Sequence, residues 1–230
     1  MDERVLLITG ASSGIGEATA RLAATEGLQL VIAARREKKL VALAEDLAKA
    51  TEIVPVVCDV TSWEDQQRLV SAGLKHFGRI DGVFANAGMG GRPGGFRGGD
   101  PERWRRLILT NVYGVALTLR ASLEALQQSK GQVIVTGSIA GRRTLAGSMY
   151  GATKWAVSGM VYNLREELRG TGIRVTLLEP GAVDTPFFDE RKQNALSAND
   201  VARSVMYVLE QPPGVDVHDL LIMPTPPVNE

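Results

Sequence analysis

Two residues four apart, Tyr150 and Lys154 in Tyr150-Gly151-Ala152-Thr153-Lys154, carry the most pointed chemistry in the sequence. On a helix, positions i and i+4 share a face, so the phenol and the ammonium would point the same way. Free tyrosine titrates near ~10 and is a poor base at neutral pH. A cation at ~4 Å stabilises its phenolate by about 4 kcal/mol in an effective dielectric of ~20. Such a pair can protonate a carbonyl oxygen or deprotonate an alcohol. Tyr-x-x-x-Lys is also a common coincidence on helices, so its meaning depends on its surroundings.

Those surroundings hold further polar residues at the ends of apolar runs. Thr136-Gly137-Ser138-Ile139-Ala140-Gly141 places Ser138 twelve residues before Tyr150, able to hydrogen-bond a reacting oxygen. The plainer reading of Ser138 is a turn residue. Asn111 lies inside a helix-like stretch, where Asn is less favourable than Ala. That invites a functional reason, such as holding a water near Lys154.

A second group of residues suits a dinucleotide. The first apolar run ends in Thr9-Gly10-Ala11-Ser12-Ser13-Gly14-Ile15-Gly16, ahead of a helix-like segment. Glycines at a strand-to-helix turn let backbone approach a pyrophosphate, and the helix N-terminus offers free N–H groups. An NAD site carries an acid about 20 residues after this loop. Here Arg35-Arg36 stand in that region, with no acid between Gly27 and Glu37. A guanidinium grips a 2′-phosphate that a carboxylate would repel. The alternative is that Arg35 and Arg36 begin a solvated charged helix. Asp59 in Cys58-Asp59-Val60 could accept from an adenine amino group or simply precede a helix cap. Asn86-Ala87-Gly88 and Pro180-Gly181-Ala182-Val183-Asp184-Thr185 end two further strands, and the backbone of the latter could clamp a carboxamide.

The elements that must hold these residues alternate regularly. Strand-like runs are 4–9, 28–34, 53–57, 81–85, 131–136, 173–178 and 218–223. Helix-like stretches are 15–26, 37–50, 62–77, 101–128, 149–169 and 198–211. Most strands are apolar on both parities, as in a sheet covered on both faces. The βαβ alternation predicts an α/β fold with a doubly wound parallel sheet. The irregular segments 86–100 and 180–197 follow strands, so both belong at the carboxyl edge, where open α/β sheets bind ligands.

Composition narrows the function further. The 230 residues carry 26 basic and 26 acidic side chains, a formal net charge of zero. That disfavours a nucleic-acid partner, which requires a basic face. One Cys allows no internal disulfide and points to a reducing, cytoplasmic setting. One Cys and two His, far apart, predict no metal site. No signal peptide or membrane span is expected, because no apolar run approaches about 18 residues.

The ordered set TGASSGIG, CDV, NAG, TN, a Ser before a Gly turn, YGATK and EPGAVDT resembles the short-chain dehydrogenases/reductases, from Val5 to about residue 223. The resemblance implies a three-layer Rossmann-type sheet of seven parallel strands in one domain. It implies NADP(H) as cofactor, with NAD(H) less favoured. It implies a tetrad of Asn111, Ser138, Tyr150 and Lys154. In it Tyr150 is acid/base, Ser138 orients the substrate oxygen, and Asn111 holds a relay water. Lys154 lowers the Tyr150 pKa and binds the nicotinamide ribose. Cofactor contacts then fall on Gly10, Ser12, Ser13, Gly14, Ile15, Gly16, Arg35, Arg36, Asp59, Val60, Asn86, Ala87, Gly88, Pro180, Gly181, Val183 and Thr185. Ala85 replaces the family's frequent Asn, and the Ser-to-Tyr spacing is one shorter than the commonest form.

A homodimer or homotetramer is also implied, acting on a small-molecule substrate through loops near 88–99 and 186–197. A weaker resemblance to a subgroup acting on 3-hydroxy acids, serine and semialdehydes would call for an arginine to hold a carboxylate. Arg92, Arg97, Arg142, Arg143 and Arg191 are the candidates, while Phe187-Phe188 would suit an apolar wall. A non-catalytic NADP-binding sensor or scaffold would need the glycine loop but not the tetrad.

Overall fold

Strands apolar on both parities need cover on both faces, and the chain supplies it. The computed structural model describes residues 4–225 except 92, 93 and 189. Seven strands form one parallel sheet: β1 (Val5–Thr9), β2 (Gln29–Ala34), β3 (Ile53–Val57), β4 (Gly82–Ala85), β5 (Gln132–Thr136), β6 (Arg174–Pro180) and β7 (Asp219–Ile222). Their spatial order is β3-β2-β1-β4-β5-β6-β7. The helices longer than one turn are α1 (Gly14–Thr25), α2 (Glu37–Leu47), α3 (Trp63–Phe77), α4 (Pro101–Ile108), α5 (Gly114–Ser129), α6 (Met149–Glu167) and α7 (Ala198–Leu209). The result is the expected single-domain, three-layer Rossmann-type fold.

Alternate residues of each strand feed different cores. From β1, Leu6 and Ile8 join Ala20 of α1, Leu40 and Leu43 of α2, and Val201 and Val205 of α7. Val5 and Leu7 face the other way, with Leu69 of α3, Val115 and Leu119 of α5, and Val157 and Val161 of α6. Pro55 is tolerated because β3 is an edge strand that pairs only with β2.

Most expected boundaries shift by one to three residues, and one expected element is corrected. The stretch 101–128 is not one helix. Asp100 caps α4 by accepting from the Glu102 N–H at 2.9 Å, and Pro101 occupies its first turn. After Ile108 the chain makes a π-helical turn, Leu109–Tyr113, before α5 begins. The turn adds an extra residue to the helical path and directs Asn111 inward.

The chain order reverses around β1, whose neighbours are β2 and β4. The loops after β1, β4, β5 and β6 therefore gather at one crevice on the carboxyl edge. A short parallel pairing of Val183–Asp184 with Leu196–Ser197 pins the two ends of the 186–197 segment. Among the described residues, no helix is long and apolar enough to cross a membrane. Nor do any three His, Cys, Asp or Glu side chains there gather to hold a metal ion.

Candidate active site

The glycine loop is shaped by contacts that leave no room for side chains. Gly10 has φ +70°, and a Cβ on it would lie 2.9 Å from the Ala87 Cα. A Cβ on Gly16 would lie 2.5 Å from the Gly10 carbonyl oxygen. Asn86 locks the loop to the end of β4. Its N–H and that of Ala87 donate to Thr9 Oγ1, each at 3.1 Å, and its Nδ2 donates to the Thr9 carbonyl at 3.1 Å. Gly14 faces Thr185, so the segment after β6 closes over the loop. Gly88 packs beside Asn111 Oδ1.

The anion-binding features follow from this shape. Ser13 precedes α1, and its side chain makes no capping bond to the helix. Arg36 reaches back across the loop, donating from Nε and Nη2 to Ser12 Oγ (3.1 and 2.9 Å) and from Nη2 to Ser13 Oγ (2.5 Å). Arg35 is exposed beside it, and Ile15 packs partly against the core. Asp59 Oδ1 accepts from the Thr61 N–H and hydroxyl at 3.0 and 2.8 Å. Val60 is buried against Gly114. The Gly181 N–H donates to the Ile222 carbonyl at 2.8 Å, which fixes Pro180-Gly181 at the sheet edge.

Ser138, Tyr150 and Lys154 meet at the same edge. Ser148 caps α6, accepting from the Gly151 N–H at 2.9 Å, and so sets Tyr150 in the first turn. Lys154 is 6% exposed and donates from Nζ to the Thr136 carbonyl at 2.7 Å. Burial pushes its pKa down to about 8. Ser138 caps the turn Ile139–Gly141, its Oγ accepting from the Ala140 N–H at 3.1 Å. Burial raises the Tyr150 pKa, and a hydrogen bond with the Ser138 hydroxyl opposes that rise.

The Lys154 ammonium lies 5.8 Å from the Tyr150 ring centroid and is engaged by Thr136. Shielding from water is the largest influence on the phenol and holds it above its ordinary value. The Asn111 Oδ1 accepts from the Met89 N–H at 2.8 Å, and its Nδ2 donates to the Met89 carbonyl (3.0 Å) and Thr153 Oγ1 (3.2 Å). It ties the loop after β4 to α6.

Two of the five arginines proposed for a carboxylate are committed elsewhere. Arg142 pairs with Glu179 and Asp219, and Arg191 donates to Asp184 at 3.0 Å. Arg97 and Arg143 are exposed, and Arg92 lies outside the described residues. The sequence reading did not single out Arg103, Gly90 or Gly91. Arg103 donates from Nη2 to the Gly90 carbonyl at 2.7 Å. A Cβ on Gly90 would lie 3.1 Å from Phe187 Cε1, and one on Gly91 would lie 3.1 Å from Tyr150 Cβ. The Phe187 ring meets the Tyr150 ring edge to face, 5.6 Å between centroids. A cavity of about 400 Å³ opens between this loop, α4 and the start of α6, bordered by Gly91, Arg103, Arg106 and Tyr150. The run of glycines from Gly88 to Gly99 was the available signal, but its partners are distant in sequence.

The sequence pattern of the family described as short chain dehydrogenase matches residues 4–196. The chain belongs to this family. It is 37% identical to an uncharacterized oxidoreductase of Staphylococcus epidermidis, with 96% of this chain and 97% of the relative covered. Among solved structures it is similar to an alcohol dehydrogenase from the archaeon Thermococcus sibiricus complexed with 5-hydroxy-NADP. That match has 32% identity and a TM-score of 0.89, and covers 95% of both chains. A serine dehydrogenase complexed with NADP+ matches at 29% identity and TM-score 0.86, covering 95% of this chain and 94% of that one.

Proposed function

We propose that this family member is an NADP(H)-dependent oxidoreductase that interconverts an alcohol and a carbonyl by hydride transfer. One observation carries the reading. Tyr150, Ser138 and Lys154 converge at the crevice whose other wall is the glycine loop with Arg36 laid across it. The alcohol and serine dehydrogenases among its structural relatives, both with NADP-type cofactors, support the same class.

The residues fit a dinucleotide. The positions at Gly10 and Gly16 are closed to any Cβ, which lets backbone meet a pyrophosphate with Ser12, Ser13, Gly14 and Ile15. Arg36, with Arg35 beside it, would hold the 2′-phosphate. Asp59 and Val60 would border the adenine. Asn86, Ala87 and Gly88 would line the ribose side, and Lys154 would bind the nicotinamide ribose. Pro180, Gly181, Val183 and Thr185 would clamp the carboxamide. The cofactor supplies or accepts the hydride at the substrate carbon.

The chain's own residues manage the proton and the geometry. In reduction the Tyr150 hydroxyl gives its proton to the carbonyl oxygen; in oxidation the phenolate takes it from the alcohol. Ser138 hydrogen-bonds the same oxygen. Asn111 keeps the loop after β4 in place. Phe187 gives an apolar wall and excludes water, and Arg103 and Arg106 border the cavity beside Tyr150. A small hydroxy acid, aldehyde or ketone suits this space.

The protein acts in the cytoplasm as a homodimer or homotetramer in this reading. Ile108, Tyr113 and Trp155 form exposed apolar positions on the α4–α6 side, and Leu221 and Met223 do so at the β7 edge. A panel of carbonyl substrates with NADPH and NADH tests the assignment. Oxidation of NADPH in preference to NADH is expected. Tight NADPH binding with no turnover across the panel would instead favour a sensor.

A further inference from the structure

Glu179 is a fully buried carboxylate that the chemistry above does not use. It is the penultimate residue of β6, just before Pro180, and its Oε2 accepts from Arg142 Nε. Its Oε1 is buried and finds no hydrogen-bond partner among the described residues. A buried ion pair with an unsatisfied oxygen contributes little to stability, and an apolar pair of similar volume is often as stable. The pair must be sought a role in what it touches.

What it touches is the turn that carries Ser138. A Cβ on Gly137 would lie 3.0 Å from Glu179 Cγ, so the carboxylate stem packs on the backbone just before Ser138. The Gly137 N–H also donates to the Leu178 carbonyl of β6 at 2.7 Å. Arg142 leaves the far side of the same turn, four residues after Ser138. The turn is thus held at both ends by β6. Beyond Arg142, Asp219 of β7 accepts from Arg142 Nη2 (3.0 Å), from Arg165 Nη2 of α6 (3.4 Å) and from the Tyr162 hydroxyl of α6 (3.4 Å). Arg142, Asp219 and Tyr162 are the charged and titratable groups facing Glu179, and Arg165 adds its charge on Asp219.

We propose that Glu179 is a positioning residue for the reaction: through Gly137 and Arg142 it holds the Ser138 hydroxyl against Tyr150. This rests on the proton-transfer reading of Tyr150 given above. Glu179 acts through the turn, its stem packed on Gly137 and its carboxylate holding Arg142. A loosened Ser138 loses its hold on the phenolate, so the Tyr150 titration moves to higher pH. It also misaligns the reacting oxygen, and displacements of about 1 Å can cost on the order of 100-fold in rate.

Three variants separate positioning from support. Glu179→Gln keeps the volume but replaces the charge-assisted hydrogen bond from Arg142 by a weaker neutral one, which loosens the hold on the turn. Arg142→Lys alters a side chain 36% exposed and keeps the charge while losing the Nε geometry. The double variant Glu179→Met with Arg142→Met replaces the pair by apolar volume. Turnover, KM, NADPH affinity, Tm and the pH profile of alcohol oxidation are measured for each. In Glu179→Gln, kcat should fall about 10- to 100-fold, with NADPH affinity unchanged and the rising limb of the profile moved to higher pH. Arg142→Lys should show the same pattern with a smaller loss. The double variant should recover Tm but neither kcat nor the profile. The proposal is overturned if the double variant recovers kcat and profile along with Tm, or if Glu179→Gln and Arg142→Lys leave both unchanged. Tyr150→Phe is the control: turnover retained there overturns the acid/base reading itself. An inactive Tyr150→Phe with normal Glu179 and Arg142 variants overturns only the positioning role.

Discussion

Arg36→Ala should convert the cofactor preference, and the structure sets the size of the effect. The Arg36 guanidinium is already oriented over the glycine loop by Ser12 and Ser13, through Nε and Nη2. The donors of Nη1 remain to meet a 2′-phosphate at the same place. A hydrogen bond to a charged group contributes about 1.5–3 kcal/mol net. At 1.4 kcal/mol per factor of ten, the NADPH dissociation constant should rise about 10- to 150-fold. Arg35 remains nearby and keeps part of the Coulombic attraction, which places the expectation toward the lower end. NADH lacks the phosphate, so its affinity should change less than about threefold on the same grounds. Titration of each coenzyme by fluorescence or calorimetry, at low and high salt, measures this directly. The NADPH advantage of the unmodified protein should shrink with added salt, since exposed charges are screened. Equal weakening of both coenzymes would show that Arg36 only braces the loop. No change for either would put the phosphate elsewhere.

Three further outcomes are expected. Lys154 titrates near 8 when folded, below its ordinary value of 10.5. The unfolded chain therefore binds more protons between those values, and stability gains with pH across that window. Unfolding free energies at pH 7 and pH 10 should show this gain in the unmodified protein and its loss in Lys154→Met; a pH-independent difference between the two would refute it. Gly90→Ala places a methyl 3.1 Å from Phe187 and should change KM several-fold with Tm nearly unchanged, read by steady-state kinetics and thermal melting. Trp155→Glu puts a charge on an apolar position 53% exposed and should reduce the mass measured by light scattering to that of a monomer.

Much of this was legible in the residues. Apolar runs on both parities gave the covered parallel sheet, and the glycine loop marked its switch point. Tyr150, Ser138 and Lys154 each sit where a strand end or a helix start had to bring them. Other features depend on contacts that no local pattern records. Asn111 stood out as an unfavourable mid-helix residue, yet nothing nearby in sequence announced the π turn that aims it at Met89. Gly90 and Gly91 are bare because Phe187 and Tyr150 press on them from distant segments. Arg142 looked available for a substrate until Glu179, 37 residues on, and Asp219, 77 residues on, were placed beside it. The Tyr150–Lys154 spacing suggested a direct Coulombic effect. Burial, which spacing cannot reveal, dominates instead.

In the proposed reading Tyr150 moves the proton in an alcohol–carbonyl interconversion. The decisive measurement is turnover of Tyr150→Phe with NADPH and a carbonyl accepted by the unmodified protein, alongside NADPH affinity. Removing a positioned acid/base group should lower kcat by about 100- to 10,000-fold, with NADPH affinity preserved. Turnover within tenfold of the unmodified protein would take the proton transfer away from Tyr150.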